Sequence, residues 1–147
     1  MTWLYENKVF DLSEEELEKY QGFVYEVEEC DTGMKYIGKK FFWKPKVLPK
    51  TKKRKRRVRT RTESDWRKYF GSSKEVQLLV EENGADAFHR EILMLCKTKG
   101  QCSYYEMKYQ LELDVLLKPE EYYNAFVGGK IHRKHILGLQ SDETVVE

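Results

Sequence analysis

Gly22-Phe23-Val24-Tyr25-Glu26-Val27-Glu28 approaches strand alternation, Asp31-Thr32-Gly33 is turn-forming, and Met34-Lys35-Tyr36-Ile37 returns as a second short strand. The segment therefore predicts a β-hairpin. Tyr25 and Tyr36 lie on its two arms, and the loop length predicts that the phenols stand within about one residue pair of being opposite.

On the amino-terminal side, an aromatic stretch precedes Ser13-Glu14-Glu15-Glu16-Leu17, where Ser13 and Glu16 have capping-box spacing. A short helix to about Tyr20 is predicted, with residues 1–21 as a peripheral helical brace. On the other side, residues 44–61 hold eleven Lys or Arg, no acid and two of the three prolines. Mutually repelling charges with prolines predict a long flexible loop that orders only against something negative.

Order is expected to resume at Ser64-Asp65-Trp66. Ser72-Ser73-Lys74-Glu75 forms another capping box ahead of Val76, Leu79 and Val80 at helical spacing, with Asn83-Gly84 as the stop. This predicts a helix over about residues 73–83. The mainly apolar run Phe88 to Cys96 predicts a central strand covered on both faces. From Ser103 to Leu117 the period is helical, with Met107, Leu111 and Val115 on one side, Glu106, Gln110 and Asp114 on another, and Pro119 beyond. Glu121-Tyr122-Tyr123-Asn124 reads as a turn that packs back, and Gly128-Gly129 opens a tail with Lys130, Arg133 and Lys134. The expected fold class is α+β, a small three-stranded antiparallel sheet flanked by helices.

With 147 residues and 40% hydrophobic content, the chain has enough material for one core and one domain, spanning 1–147. No long apolar run and no signal pattern occur in the sequence, so a soluble, unexported, cytoplasmic protein without a membrane partner is expected. Cys30, Cys96 and Cys102 match neither a zinc site nor a disulfide framework and read as reduced thiols. The net charge of +2 conceals an asymmetry: outside 44–61 the chain carries, by difference, −9. A local basic stripe of this kind is the footprint of a polyanion partner.

Taken together, Gly22-Phe23-Val24-Tyr25 and Tyr36-Ile37-Gly38, at this separation, resemble the paired strands of the GIY-YIG nucleases. Gly71-Ser72-Ser73-Lys74, Asn83-Gly84, Phe88 and Ile92-Leu93 are similar to the second helix and third strand of phage homing-type members. The resemblance runs from Gly22 to Asn124, with 44–61 as a basic insertion and 125–147 as a tail. It implies a metal-dependent DNA endonuclease acting in the cytoplasm of a phage-infected bacterium. Glu106 falls where the family keeps its metal-binding glutamate, and Asn124 where many members end the domain and contribute to the catalytic set.

The chemistry explains the residue types. A phosphodiester repels nucleophiles, so the site must activate water, neutralise charge on the phosphoryl oxygens and assist the leaving oxygen. A lone carboxylate can hold one hard cation, Mg2+ or Mn2+, while water and phosphate complete its octahedron. A phenol titrates near pH 10, and nearby cations such as Lys39, Lys40 and the basic loop are expected to bring it toward useful values. The resemblance implies that Tyr25 or Tyr36 assists in-line attack by water, and the sequence leaves open which one accepts the proton.

Two positions depart from the family pattern. Its helical arginine after YIG is displaced by the basic segment, leaving Arg67 and Lys40 as candidates. Gly71 stands where some members have histidine, with Tyr69 as a nearby substitute. Arg90 is read either as reaching the site or as an edge salt bridge, and the His132/His135 pair as structural.

Homing members append a DNA-binding domain, and none is expected here. Phosphate contacts are therefore expected from Lys52, Lys53, Arg54, Lys55, Arg56, Arg57, Arg59 and Arg61, with low sequence specificity. A homodimer is one route to paired cuts. Two other functions stay open at this point: a non-catalytic nucleic-acid-binding module on the same scaffold, and an assembly factor using the acidic amino-terminal helix.

Overall fold

The computed structural model describes residues 2–127. Strands β1 (Leu4–Tyr5) and β2 (Lys8–Val9) precede one helical turn, α1 (Glu14–Leu17), and the hairpin β3 (Gly22–Glu29) and β4 (Lys35–Phe41). A second hairpin, β5 (Trp43–Leu48) and β6 (Val58–Glu63), leads to α2 (Lys74–Asn83), β7 (Phe88–Cys96) and α3 (Lys99–Glu112).

The class is α+β, but the main sheet is mixed and five-stranded, in the order β2-β1-β7-β3-β4. Its β7-β3-β4 part is antiparallel as expected, while β1 adds to β7 in parallel, with Leu4 opposite Glu91 and Tyr5 opposite Ile92. The amino-terminal stretch is thus part of the sheet as well as a brace. Its strands are two residues each, too short for alternation to register. Glu6 and Asn7 turn the chain between them with φ of 51° and 65°. Trp3 is buried, and its indole N–H donates to the Trp66 carbonyl at 2.8 Å. The Ser13 hydroxyl caps α1 by accepting from the Glu16 N–H, but the helix ends at Leu17, not Tyr20.

The β3–β4 register sets Tyr25 opposite Gly38 and Tyr36 opposite Val27. The tyrosines are therefore diagonal neighbours on one face, two residues out of opposition instead of one, with ring centroids 6.3 Å apart. A Cβ on Gly38 would stand 2.5 Å from the Tyr25 hydroxyl, so the ring can lie across this position only because it is glycine.

The far side of β4 is a sheet edge, and its backbone groups at Lys35 and Ile37 are engaged by the carboxyl-terminal half. Lys35 N–H donates to Glu121 O at 2.9 Å and accepts, through its carbonyl, from Tyr123 N–H at 2.8 Å. The Asn124 amide accepts from Ile37 N–H at 3.0 Å and donates to Ile37 O at 2.7 Å. Gln110 Nε2 donates to the same carbonyl at 3.0 Å. Closing an edge in this way removes a row of unpaired groups.

One face of the sheet carries a core of Phe23, Tyr25, Val27, Phe88 and Ile92, closed by Phe42, Trp66 and Val76 of α2. Ser73 caps α2 through the Val76 N–H, one residue later than the Ser72–Glu75 spacing predicted, and the Ser72 hydroxyl bonds Tyr36 instead. On the other face α3 packs Cys102 against Val24, Ile37 and Cys96. The sidedness of α3 differs from expectation. Cys102, Glu106 and Gln110 turn toward the sheet, whereas Leu111 is 54% exposed. Backbone groups at the β4 edge need polar partners, and that demand overrides hydrophobic periodicity. The helix also starts at Lys99, capped by Thr98, and ends before Asp114, which takes φ of 52°. β7 is central, but full burial is confined to Phe88, Arg90, Ile92 and Cys96, while His89, Glu91, Leu93, Met94 and Leu95 are only half-covered, so the expected cover on both faces is partial.

The basic segment is the largest correction. Residues 44–48 and 58–61 are strand, not loop: they belong to an antiparallel β-ribbon paired from Trp43–Glu63 to Leu48–Val58, and only residues 49–57 between them form a loop. Val47, Val58, Thr60 and Thr62 are strand-favouring residues interleaved with the charges. At the base, the Trp43 indole donates to Tyr20 O at 2.9 Å. Arg61 stacks over Trp43 at 4.5 Å and donates to Glu18 O at 3.2 Å. No helix among the described residues is long and apolar enough to cross a membrane. Gly128-Gly129, Lys130, Arg133, Lys134 and the His132/His135 pair lie outside them.

Asn124→Ala is expected to destabilise the protein by about 1–3 kcal/mol, a fall of roughly 3–10 °C in Tm, because Ile37 N–H loses its acceptor in a buried place. Thermal unfolding followed by circular dichroism checks this. An unchanged Tm would mean that the edge does not depend on the amide.

Candidate active site

Three tyrosines meet on the core face beside the β4 edge. Tyr25 comes from β3, Tyr36 from β4, and Tyr69 from the connection after a short 3-10 turn at Trp66–Lys68. The Tyr25 ring meets Tyr69 edge-on at 5.9 Å. Its hydroxyl is sealed from solvent and makes no hydrogen bond of ordinary geometry, with the Tyr69 hydroxyl beside it. Tyr36 is half-buried, and its hydroxyl shares a 2.7 Å hydrogen bond with the Ser72 hydroxyl.

Gly71 makes this approach feasible. It adopts φ of 119°, which side-chain-bearing residues rarely take, and a Cβ there would sit 3.3 Å from the Tyr36 ring. Its carbonyl is held by Gln77 Nε2 at 2.8 Å. At the position where some relatives carry a histidine, this chain therefore has a close-packed turn, flanked by the Tyr69 and Ser72 hydroxyls.

The electrostatics oppose the expectation of easily ionised phenols. Burial pushes Tyr25 well above the usual phenol range, and the neighbouring Tyr69, Tyr36 and Glu106 add to the rise. Tyr36 is also raised by burial, with the Ser72 hydrogen bond acting against the rise and Glu106 adding to it. Tyr69 is raised by burial too. The cations meant to counter this are engaged otherwise. Lys40 pairs with Asp65 at 2.7 Å and lies 4.0 Å over the Tyr69 ring, while Lys39 donates to Ser103 at 2.7 Å.

Glu106 stands one helical turn after Cys102, half-buried against β4. Burial raises its pKa, and the Lys39 ammonium and backbone N–H facing it act in the other direction. As a half-buried hard oxygen donor, it suits a cation that completes its shell with water and phosphate. No cluster of three or more His, Cys, Asp or Glu able to hold a metal occurs among the described residues. A chelating cage of the zinc type is therefore not what the donor set offers.

The other expected residues divide. Of the two candidates for the family's basic group, Lys40 stands at the tyrosine cluster, whereas the Arg67 side chain is turned to Glu63, at 2.9 Å, and to the Trp66 ring. Asn124 uses both ends of its amide on Ile37, which makes it a positioning residue for the YIG strand. Arg90 meets the site through the backbone of the Tyr69 segment. It is buried between Trp3 and Phe70, and its Nη1 donates to the carbonyls of Arg67 and Tyr69. Burial lowers its pKa to about 10. Its place at the i+2 position between Phe88 and Ile92, the core-facing side of β7, is the signal that could have revealed this.

Lys52, Lys53, Lys55, Arg56, Arg57 and Arg59 are exposed near the ribbon tip, Arg54 is half-buried, and Arg61 is engaged at the base. Sequence reasoning missed Ser72, Ser103 and Lys99. The last joins Lys39, Lys40 and Lys44 around a cleft of about 260 Å3 with Phe41 and Trp43 in its walls. This cleft runs from beside the tyrosine cluster to the foot of the ribbon.

Residues 3–127 match the family model described as "Putative endonuclease segE, GIY-YIG domain". No curated protein and no solved structure matches the chain. The matched span takes in the GIY and YIG strands, the ribbon, α2, β7, α3 and the Asn124 clamp, and the chain belongs to this GIY-YIG endonuclease-domain family.

Proposed function

We propose that the chain is a metal-dependent endonuclease that hydrolyses DNA phosphodiester bonds at the Tyr36–Tyr69–Glu106 surface, working in the cytoplasm as one domain. The observation that carries this reading is the convergence of Tyr25, Tyr36, Tyr69, Ser72 and Glu106 from separate segments on one edge strand. A Mg2+ or Mn2+ ion held by Glu106 would supply Lewis-acid stabilisation of charge on the phosphoryl oxygens.

Within that frame the tyrosines take different roles. Tyr36 is the phenol with access to solvent, and its Ser72 bond gives its proton a defined partner, so it orients the attacking water and relays its proton. Tyr25 is sealed beneath it and sets the position of Tyr36 and Tyr69. Lys40, at the edge of the cluster, faces the phosphate when its Asp65 pairing opens. A second reading, a nucleic-acid-binding module without catalysis, is favoured by the raised phenols and by the diversion of Arg67.

Nicking of supercoiled plasmid with Mg2+ separates the two. The parent is expected to nick, with loss of activity on adding EDTA and in Glu106→Ala; a folded parent that binds plasmid without cutting it establishes the binding module instead. Tyr36→Phe should lower the rate by about 100-fold or more, as removal of a proton-transfer group does, and Tyr25→Phe by about tenfold or less. Equal losses in the two variants would remove the division of roles.

Affinity should fall with salt at a log–log slope near −5 if about six ribbon cations meet phosphates. Fluorescence anisotropy over a salt series measures it, and a slope near zero would place the ribbon off the DNA.

A further inference from the structure

Neither face of the ribbon is covered along most of its length. Lys44, Pro45, Lys46 and Val47 are exposed on one strand, and Val58, Arg59, Thr60 and Arg61 on the other. Isolated two-stranded ribbons are marginal in water, so this one depends on its pinned base and on whatever it meets. Its strands are about 5 Å apart and, at six residues each, about 20 Å long. The B-DNA major groove is about 12 Å wide and admits such a ribbon, whereas the minor groove, at about 6 Å, does not.

The two faces differ. Trp43, Pro45, Arg59 and Arg61 share the side on which Trp43 and Arg61 are pinned to the body, while Lys44, Lys46, Val58 and Thr60 share the other. The free side mixes lysines with a methyl-bearing valine and threonine, groups suited to base edges and thymine methyls in the major groove. Charge complementarity commits the occupant to a polyanion, since residues 44–61 contain no acid.

We infer that the ribbon enters the major groove of duplex DNA with its Lys46–Val58–Thr60 side toward the base edges, while the Lys39–Lys44–Lys99 cleft receives the adjacent backbone. The inference rests on the DNA-directed reading above but not on catalysis. The ribbon is a fixed arm, and its base sets the distance between the groove it occupies and the phosphate presented to Tyr36.

Equilibrium binding in EDTA tests it without any cutting. The parent is titrated with a plain duplex, the same duplex carrying a bulky substituent at cytosine C5, and the plain duplex with its minor groove filled by a polyamide. Binding should weaken at least tenfold with the C5 substituent and less than twofold with the polyamide. Lys46→Ala/Thr60→Ala, which leaves the pinned base intact, should lose most of the C5 discrimination. Equal affinity for all three duplexes, greater sensitivity to the polyamide, preference for single strands, or no binding at low salt would each overturn the inference. A parent that shows the groove preference but never nicks keeps the inference and loses the endonuclease reading; one that nicks without groove preference does the reverse.

Discussion

The outer edge of β4 presents the backbone groups of Lys35, Ile37 and Lys39 on the side away from β3. These groups need partners, and the carboxyl-terminal third of the described chain supplies them: residues 121–123 along Lys35, Asn124 and Gln110 on Ile37, and Glu106 at Lys39. The requirement is elementary, since buried peptide groups cannot be left unpaired without cost. Its effect is to bring α3 against the YIG strand with a polar row inward. Glu106 is therefore near the tyrosines because the same helix face closes the sheet. Stability and site assembly come from a single contact surface, so neither can be altered there alone.

Charge is distributed in opposition to this. Outside residues 44–61 the chain is net acidic, and the clustered phenols and Glu106 are shifted toward their protonated forms by burial. A polyanion approaching such a surface is drawn not by the site but by the ribbon and the lysine-lined cleft beside it. The division separates attraction from chemistry, and lets the cluster remain close-packed while exposed side chains carry the long-range field.

Much of this was legible in the sequence because it rests on short-range signals. The turn at Asp31-Thr32-Gly33, the Ser13 cap, the serine pair that opens α2 and the Gly84 stop each act within a few residues. Tyr25, Tyr36 and Glu106 could be placed by motif and order. What escaped was set by long-range partners. β1 is two residues long and forms only because β7 offers an edge. The ribbon looked like a loop since its charges outweighed the alternation of Val and Thr between them. The inward side of α3 was misjudged because Gln110 and Glu106 answer a backbone demand that no local pattern records, and phenol ionisation because burial could not be weighed against charge without coordinates.

The parallel pairing of β1 with β7 has a temporal side. Leu4 and Tyr5 precede the strand they join by the hairpin, the ribbon and α2, so that strand is made only after all of these have followed. Until then Trp3 has its Phe23 and Tyr25 neighbours but not the Arg90 guanidinium that covers its ring. A contact that spans so much sequence closes a large loop late, which slows the final step and favours folding in the order of the central strands first. The docking of β1 on β7 thus has to wait until most of the described chain is in place.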